Sequence, residues 1–173
     1  MSHRLLPTLA TLALAGCATT PAPSVCFSPD VRCADVVVHE LGTARHAIHV
    51  LAYGFSHPGI ARALADARQR GLDVEVILDK SNQREHYSEA DFVARAGVIT
   101  YIDARHPIAH NKVIVIDERE VITGSFNFTR AADEKNAENL LVIHSASLAS
   151  RYLENWREHQ AHSSRYEGSP ANP

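Results

Sequence analysis

The chain has 173 residues, of which 45% are hydrophobic and 21% charged, enough for one domain with its own core and too ordinary a balance for a disordered or fibrous chain. Its 17 Lys and Arg against 20 Asp and Glu give a net charge of −3, which excludes a uniformly basic nucleic-acid coat; a polyanion would have to be met by a local positive cleft.

Met1 to Gly16 has the character of a targeting segment, with Arg4 as a short positive start and a mostly apolar run from Leu5 to Ala15, too short to span a membrane. Leu14-Ala15-Gly16-Cys17 resembles a bacterial lipobox, which implies cleavage before Cys17 and lipidation of its sulfur; an ordinary signal peptide is the alternative. The expected layout is a signal peptide over 1–16, a small, polar, Pro-containing tether over 17–24, one folded domain over 25–162 and a flexible tail over 163–173. The expected location is the bacterial cell envelope, anchored to the membrane through lipidated Cys17 and facing the periplasm, at the outer membrane. Cys26 and Cys33 remain as an even pair with six residues between them, so a disulfide is feasible; two reduced cysteines are the alternative.

Val25-Cys26-Phe27 is a short strand candidate. Ala34 to Ala44 carries Val37, Val38, Leu41 and Ala44 at helical spacing, against the strand preference of Val36-Val37-Val38. Ile48 to Phe55 predicts a strand; Pro58 opens a helix to Arg70 that Gly71 closes; Leu72 to Leu78 predicts a buried strand. Asp79 to Tyr87 is a polar loop, and Ser88 with Asp91 resembles a capping box opening a helix that Gly97 ends. Val98 to Ile102 predicts a strand, Phe128 to Lys135 a loop or short helix, and Asn139 to His144 a strand. Leu148, Tyr152 and Trp156 mark a terminal helix, and the tail frays from His162. Strands alternating with helices predict one α/β domain, an α-β-α sandwich with a mixed sheet and helices on both faces.

The chemistry concentrates between His110 and Glu138. His110 and Lys112 flank Asn111 at the start of the β-branched run Val113 to Ile116, and alternation along a strand projects both from one face. Asp117 to Glu120 is turn-like, Val121-Ile122-Thr123 returns, and Gly124 permits a sharp turn or a close approach before Ser125, Phe126 and Asn127. These residue types suit a phosphodiester. An imidazole attacks phosphorus or delivers a proton, the Lys112 ammonium meets the non-bridging oxygens, and Ser125 and Asn127 donate hydrogen bonds to them. Glu138 is the candidate carboxylate to orient His110. Asp117 takes a structural role at its turn.

His110-x-Lys112, four residues, Asp117, six residues, then Gly124-Ser125-x-Asn127 resembles the signature of the phospholipase D superfamily. The flanking Val25-Cys26-Phe27-Ser28-Pro29, Leu51-Ala52-Tyr53-Gly54-Phe55, Val74-Glu75-Val76-Ile77-Leu78-Asp79 and Asn136-Ala137-Glu138-Asn139 resemble its small, single-motif bacterial endonucleases, so the likeness runs from Val25 to Trp156. The resemblance implies a phospholipase D/nuclease-like fold over 25–162, no cofactor and a reaction through phosphohistidine. That reaction uses two histidines: one attacks phosphorus, while the other protonates the leaving oxygen and then activates water. His-x-Lys occurs once here, so a C2 homodimer is expected to share one active site, with His110 as nucleophile from one copy and acid/base from the other.

Three functions fit. The first is a metal-independent endonuclease on DNA or RNA, with Lys80, Arg84, Arg105, Arg130 and Lys135 gripping backbone phosphates and Tyr87 or Phe128 stacking on a base. The second is a phospholipase D acting on phosphatidylcholine or cardiolipin, and the third a non-catalytic, nucleic-acid-binding envelope lipoprotein. No catalytic metal is expected: Pro107 separates His106 from His110, His159 and His162 lack acidic or Cys companions near a fraying end, and Lys112 repels a cation beside His110. A serine-hydrolase site is disfavoured because Gly124-Ser125-Phe126-Asn127 lacks the second glycine of a nucleophile elbow.

Overall fold

The computed structural model describes residues 21–83 and 85–169. The proposed signal peptide, Cys17 and Arg84 lie outside the described residues. The described residues contain eight strands: Ser24–Ser28 (β1), Ala47–Ala52 (β2), Asp73–Asp79 (β3), Ile99–Asp103 (β4), Lys112–Ile116 (β5), Glu120–Gly124 (β6), Glu138–His144 (β7) and Ser164–Tyr166 (β8). They form one sheet in the order β1-β7-β6-β5-β2-β3-β4-β8. The β2–β3 and β3–β4 pairs are parallel and the others antiparallel, so the sheet is mixed.

The helices are Cys33–Thr43 (α1), Pro58–Gln69 (α2), Ala90–Arg95 (α3), Arg130–Glu134 (α4) and Ala146–His162 (α5). One sheet face buries Val50, Val76 and Ile114 with Val37 and Leu41 of α1 and Ile60 and Leu64 of α2. The other buries Leu51, Ile77, Val113 and Val115 with Ala149, Leu153 and Trp156 of α5. Neighbouring residues of a strand therefore enter opposite cores, which is why these strands are apolar throughout instead of alternating. The result is a single α/β sandwich with helices on both faces. The Trp156 indole fixes α5 by donating to the Val50 carbonyl at 2.9 Å. Cys26 and Cys33 are joined by a disulfide, tying β1 to the first turn of α1 across a Cα–Cα distance of 5.8 Å.

Three local expectations need correction. The Ser88–Asp91 capping box does not form: Glu89 is the N-cap of α3, and Asp91 instead accepts from the Tyr166 hydroxyl and, at 2.9 Å, from the Ser169 amide. The expected frayed tail instead contributes β8, which pairs with β4 and covers what would be an open edge. The strand expected to reach Phe55 ends at Ala52, and Phe55 makes an isolated bridge with Phe128.

The β5–β6 hairpin turns on Asp117 and Glu118, both in the left-handed region with φ of 51° and 56°. That is the turn geometry that follows the twist of a hairpin. The Asp117 carboxylate also ties this turn to the start of β2, accepting from the amides of Arg45 (2.9 Å), His46 (2.7 Å) and Ala47 (3.0 Å). Burial pushes the Asp117 pKa up, but the Ala47, Arg45 and His46 amides outweigh it and hold the carboxyl below its ordinary value. A depressed carboxyl pKa contributes stability that is present above the unfolded value and lost as pH falls through the folded one. Asp117→Asn, which keeps the left-handed turn, is expected to cost about 1–2 kcal/mol at pH 7 and progressively less below about pH 4. Urea unfolding at pH 7 and pH 3 checks both parts, and an equal loss at the two pH values would contradict this role.

Candidate active site

The start of β5, the end of β6 and the start of β7 lie together at one end of the sheet because these strands are antiparallel neighbours. Lys112 opens β5, Gly124 closes β6 and Glu138 opens β7. His110 lies just before β5 instead of within it, and is exposed. The β2–β5 pairing continues beyond β2, with the Tyr53 amide donating to the Asn111 carbonyl at 2.9 Å. This brings the Tyr53 ring against His110, with centroids 4.7 Å apart and planes inclined by 53°.

Lys112 is nearly buried, with 8% of its surface exposed, an expensive place for an ammonium. Its Nζ donates to the His110 carbonyl at 2.9 Å and sits 5.3 Å from the Tyr53 ring centroid, a cation–π contact. Burial pulls the Lys112 pKa down, and the Glu138 charge pushes back. The fold thus holds a cation at a fixed point beside His110 at a cost in solvation.

Gly124 is required by close approach: at φ +150° a Cβ here would lie 2.3 Å from the Asn139 carbonyl oxygen. That oxygen accepts from the amides of Ser125 (3.1 Å) and Phe126 (3.2 Å), and buried Phe126 and Phe128 anchor the segment on either side of Asn127. The Ser125 hydroxyl donates to Glu138 Oε2 at 2.5 Å and accepts from the Asn139 amide at 3.0 Å. Asn127 Oδ1 is buried without a partner among the described residues. An unpaired buried acceptor costs about 1–3 kcal/mol.

The sequence predicts that Glu138 holds His110, but within one chain it does not. Its oxygens are engaged by Ser125 and, at 3.2 Å, by the Asn136 side chain. The reason is local: the turn after Gly124 runs beside β7, so the first residue of β7 faces Ser125. Lys80 Nζ donates to the His106 carbonyl at 2.8 Å, so one of its three N–H donors braces the loop before His110. Arg105, Arg130 and Lys135 are exposed. Arg130 shares a groove with exposed Tyr87, together with Ser56 and Thr129.

Three participants carried no assigned role in the sequence reading. Tyr53 packs on both His110 and Lys112, Asn139 accepts and donates around Ser125, and buried Asp79 receives the Ala109 amide at 2.8 Å, fixing the residue before His110. Asp79 ends an apolar strand at a sheet terminus, which is the signal that could have found it. The statement that His159 and His162 lack acidic companions is also overturned. Asp103, distant in sequence, lies against both, because α5 crosses the end of β4.

Residues 37–159 match the family described as "Cardiolipin synthase, PLD-like domain". A "Phospholipase D" of Rickettsia bellii is 47% identical over 138 residues, covering 80% of this chain and 69% of that protein. The "Mitochondrial cardiolipin hydrolase" of Mus musculus is 30% identical over 118 residues, covering 68% of this chain and 53% of that protein. Among solved structures, the phospholipase D family member Nuc from Salmonella typhimurium superposes with a TM-score of 0.81 at 35% identity, covering 85% of this chain and 99% of that one.

Proposed function

Since this chain belongs to the phospholipase D superfamily and is a phosphodiesterase of it, we propose that it cleaves nucleic-acid backbones without a metal, in an active site shared by two copies. The observation that carries this reading is the exposed His110 beside a buried, fixed Lys112, with a single His-x-Lys pair in the whole chain. His110 attacks phosphorus. A P–N bond forms and a P–O bond breaks, and the His110 imidazolium of the second copy gives its proton to the leaving oxygen. That second imidazole then takes a proton from water, whose oxygen attacks phosphorus and breaks the P–N bond. The product is a phosphomonoester, and both histidines return to their starting states.

Lys112 stabilises the charge gathering on the non-bridging oxygens, and Asn127 and Ser125 are the further hydrogen-bond donors to the same oxygens. Glu138 and Asn139 position Ser125. The exposed Ile108, two residues before His110, suits a contact with a second copy. Tyr87 and Arg130 in one groove suit a base and a phosphate of a flexible strand, a pairing that favours nucleic acid. A second reading, phospholipid hydrolysis, is favoured by the name of the rickettsial relative and by exposed Val25, Phe27 and Val31 near the chain's first described residues. The proposed envelope location rests on Leu14-Ala15-Gly16-Cys17 and is supported by the Cys26–Cys33 disulfide, which persists in oxidising compartments.

The test offers plasmid DNA, single-stranded DNA, RNA and phosphatidylcholine vesicles to protein lacking residues 1–17, in excess EDTA. Nucleic-acid cleavage is expected, with no release of choline. Choline release with intact nucleic acid would replace this function by the phospholipase reading. Silence on all four would favour the binding-protein reading.

A further inference from the structure

Away from His110, Asp103 closes β4 with its side chain wholly buried. Its two oxygens have different surroundings. Oδ1 accepts the Arg105 amide at 2.9 Å. Oδ2 faces three imidazole nitrogens: His159 Nδ1 at 2.7 Å, His106 Nδ1 at 3.0 Å and His162 Nε2 at 3.3 Å. His159 and His162 are three residues apart at the end of α5 and so share a face, while His106 comes from the loop after β4. The rings stand 5.0, 5.2 and 5.4 Å apart, tilted against one another instead of stacked.

Three ring nitrogens on one carboxylate oxygen exceed what hydrogen bonding there needs, because such an oxygen offers about two lone-pair directions. A cation among the four atoms uses every one of them. The ligand atoms of all four residues lie within 4.8 Å of one another. A tetrahedral ion with bonds of about 2.0–2.1 Å sets its ligands roughly 3.3 Å apart, so the Asp103 contacts at 2.7–3.3 Å open slightly around an ion while the imidazole nitrogens, within 4.8 Å of one another, gather on it. Burial works against ionisation of Asp103, but the hydrogen bonds of His159, His106, the Arg105 amide and His162 prevail and hold the carboxyl well below the usual range. The negative end of the α5 dipole lies on the same side, where it favours a cation.

We propose that Asp103, His106, His159 and His162 bind one divalent ion of the zinc class, as a structural clamp between the end of α5 and the loop leading to His110. Three imidazoles and a carboxylate suit zinc and exclude the hard, oxygen-seeking magnesium and calcium. Four protein ligands close the coordination sphere, so the ion holds structure and takes no part in cleavage. The clamp would act on a loop already pinned at two points, where Asp79 receives the Ala109 amide and Lys80 donates to the His106 carbonyl. The half-exposed His106 side is the way in for the ion.

The test uses untagged protein stripped with a chelator and dialysed, then titrated with Zn²⁺ alone, with Mg²⁺ and Ca²⁺ as controls. One Zn²⁺ per chain is expected. The unfolding midpoint should rise by about 5–10 °C at free zinc a hundred times Kd, and neither control ion should move it. His106→Gln and His162→Gln should each weaken zinc binding by at least about tenfold. They should also lose about half or more of the midpoint rise at the same free zinc, while unfolding within a few degrees of the parent in chelator. His106 is exposed enough for its variant to fold, so the comparison stands even if His162→Gln does not. Absence of saturable one-to-one binding would overturn the proposal. So would binding unchanged in the His106 variant, which would move the ion elsewhere, for instance to His49, Asp73 and Glu75.

Discussion

Replacing His110 by Ala is expected to lower phosphodiester hydrolysis by about 10⁴-fold or more while leaving the fold intact. The side chain is exposed and its main contact is with the Tyr53 ring, so truncation removes little packing. The expected loss is large because the proposed mechanism gives His110 two roles, nucleophile in one copy and acid/base in the other. Shared use also sets a quantitative signature. When equal amounts of wild-type and His110→Ala chains assemble at random, about one quarter of the dimers carry two histidines. The mixture should therefore show about one quarter of the all-wild-type rate, against about one half if each copy worked alone. Steady-state rates on co-expressed, differently tagged chains separate the two, and a value near one half would refute the shared site.

Lys112→Met separates activity from stability. Burial lowers the Lys112 pKa, which means that the fold bears a cost for keeping this ammonium charged. Met retains most of the stem's packing and removes the charge, at the loss of the 2.9 Å hydrogen bond to the His110 carbonyl. The expected result is a fall in kcat of about 10²–10³-fold with an unfolding midpoint unchanged or raised. Parallel kinetics and thermal unfolding check it. A variant within tenfold of the parent rate would remove Lys112 from the phosphate-stabilising role.

The strands between His49 and Ile122 were legible because each is an apolar run bounded by turn residues, and Gly124 was legible as a point of close approach. What stayed hidden depends on contacts distant in sequence. Asp91 fits a capping box by spacing, yet Tyr166 and Ser169, more than 70 residues on, compete for its carboxylate and win. β8 is only three residues long and is held by the edge of β4 instead of by any pattern of its own. In the site, spacing brought His110, Lys112, Ser125 and Glu138 to one end of the sheet but paired Glu138 with His110 instead of Ser125. Glu138 turns to Ser125 because β7 runs beside the turn after Gly124, a consequence of strand order that no local spacing encodes. Asp103 illustrates the same limit: α5 brings His159 to it across 56 residues of sequence.

The most direct measurement is intact-protein mass spectrometry on enzyme quenched during turnover of a single-stranded oligonucleotide in excess chelator, below the unfolding midpoint of the metal-free protein. Peptide mapping then locates any adduct. The account predicts a nucleotide joined through phosphorus to His110, on no more than half of the chains, stable in alkali, lost in acid and absent from His110→Ala. Continued turnover with no adduct on His110, or an adduct on another residue, would contradict it.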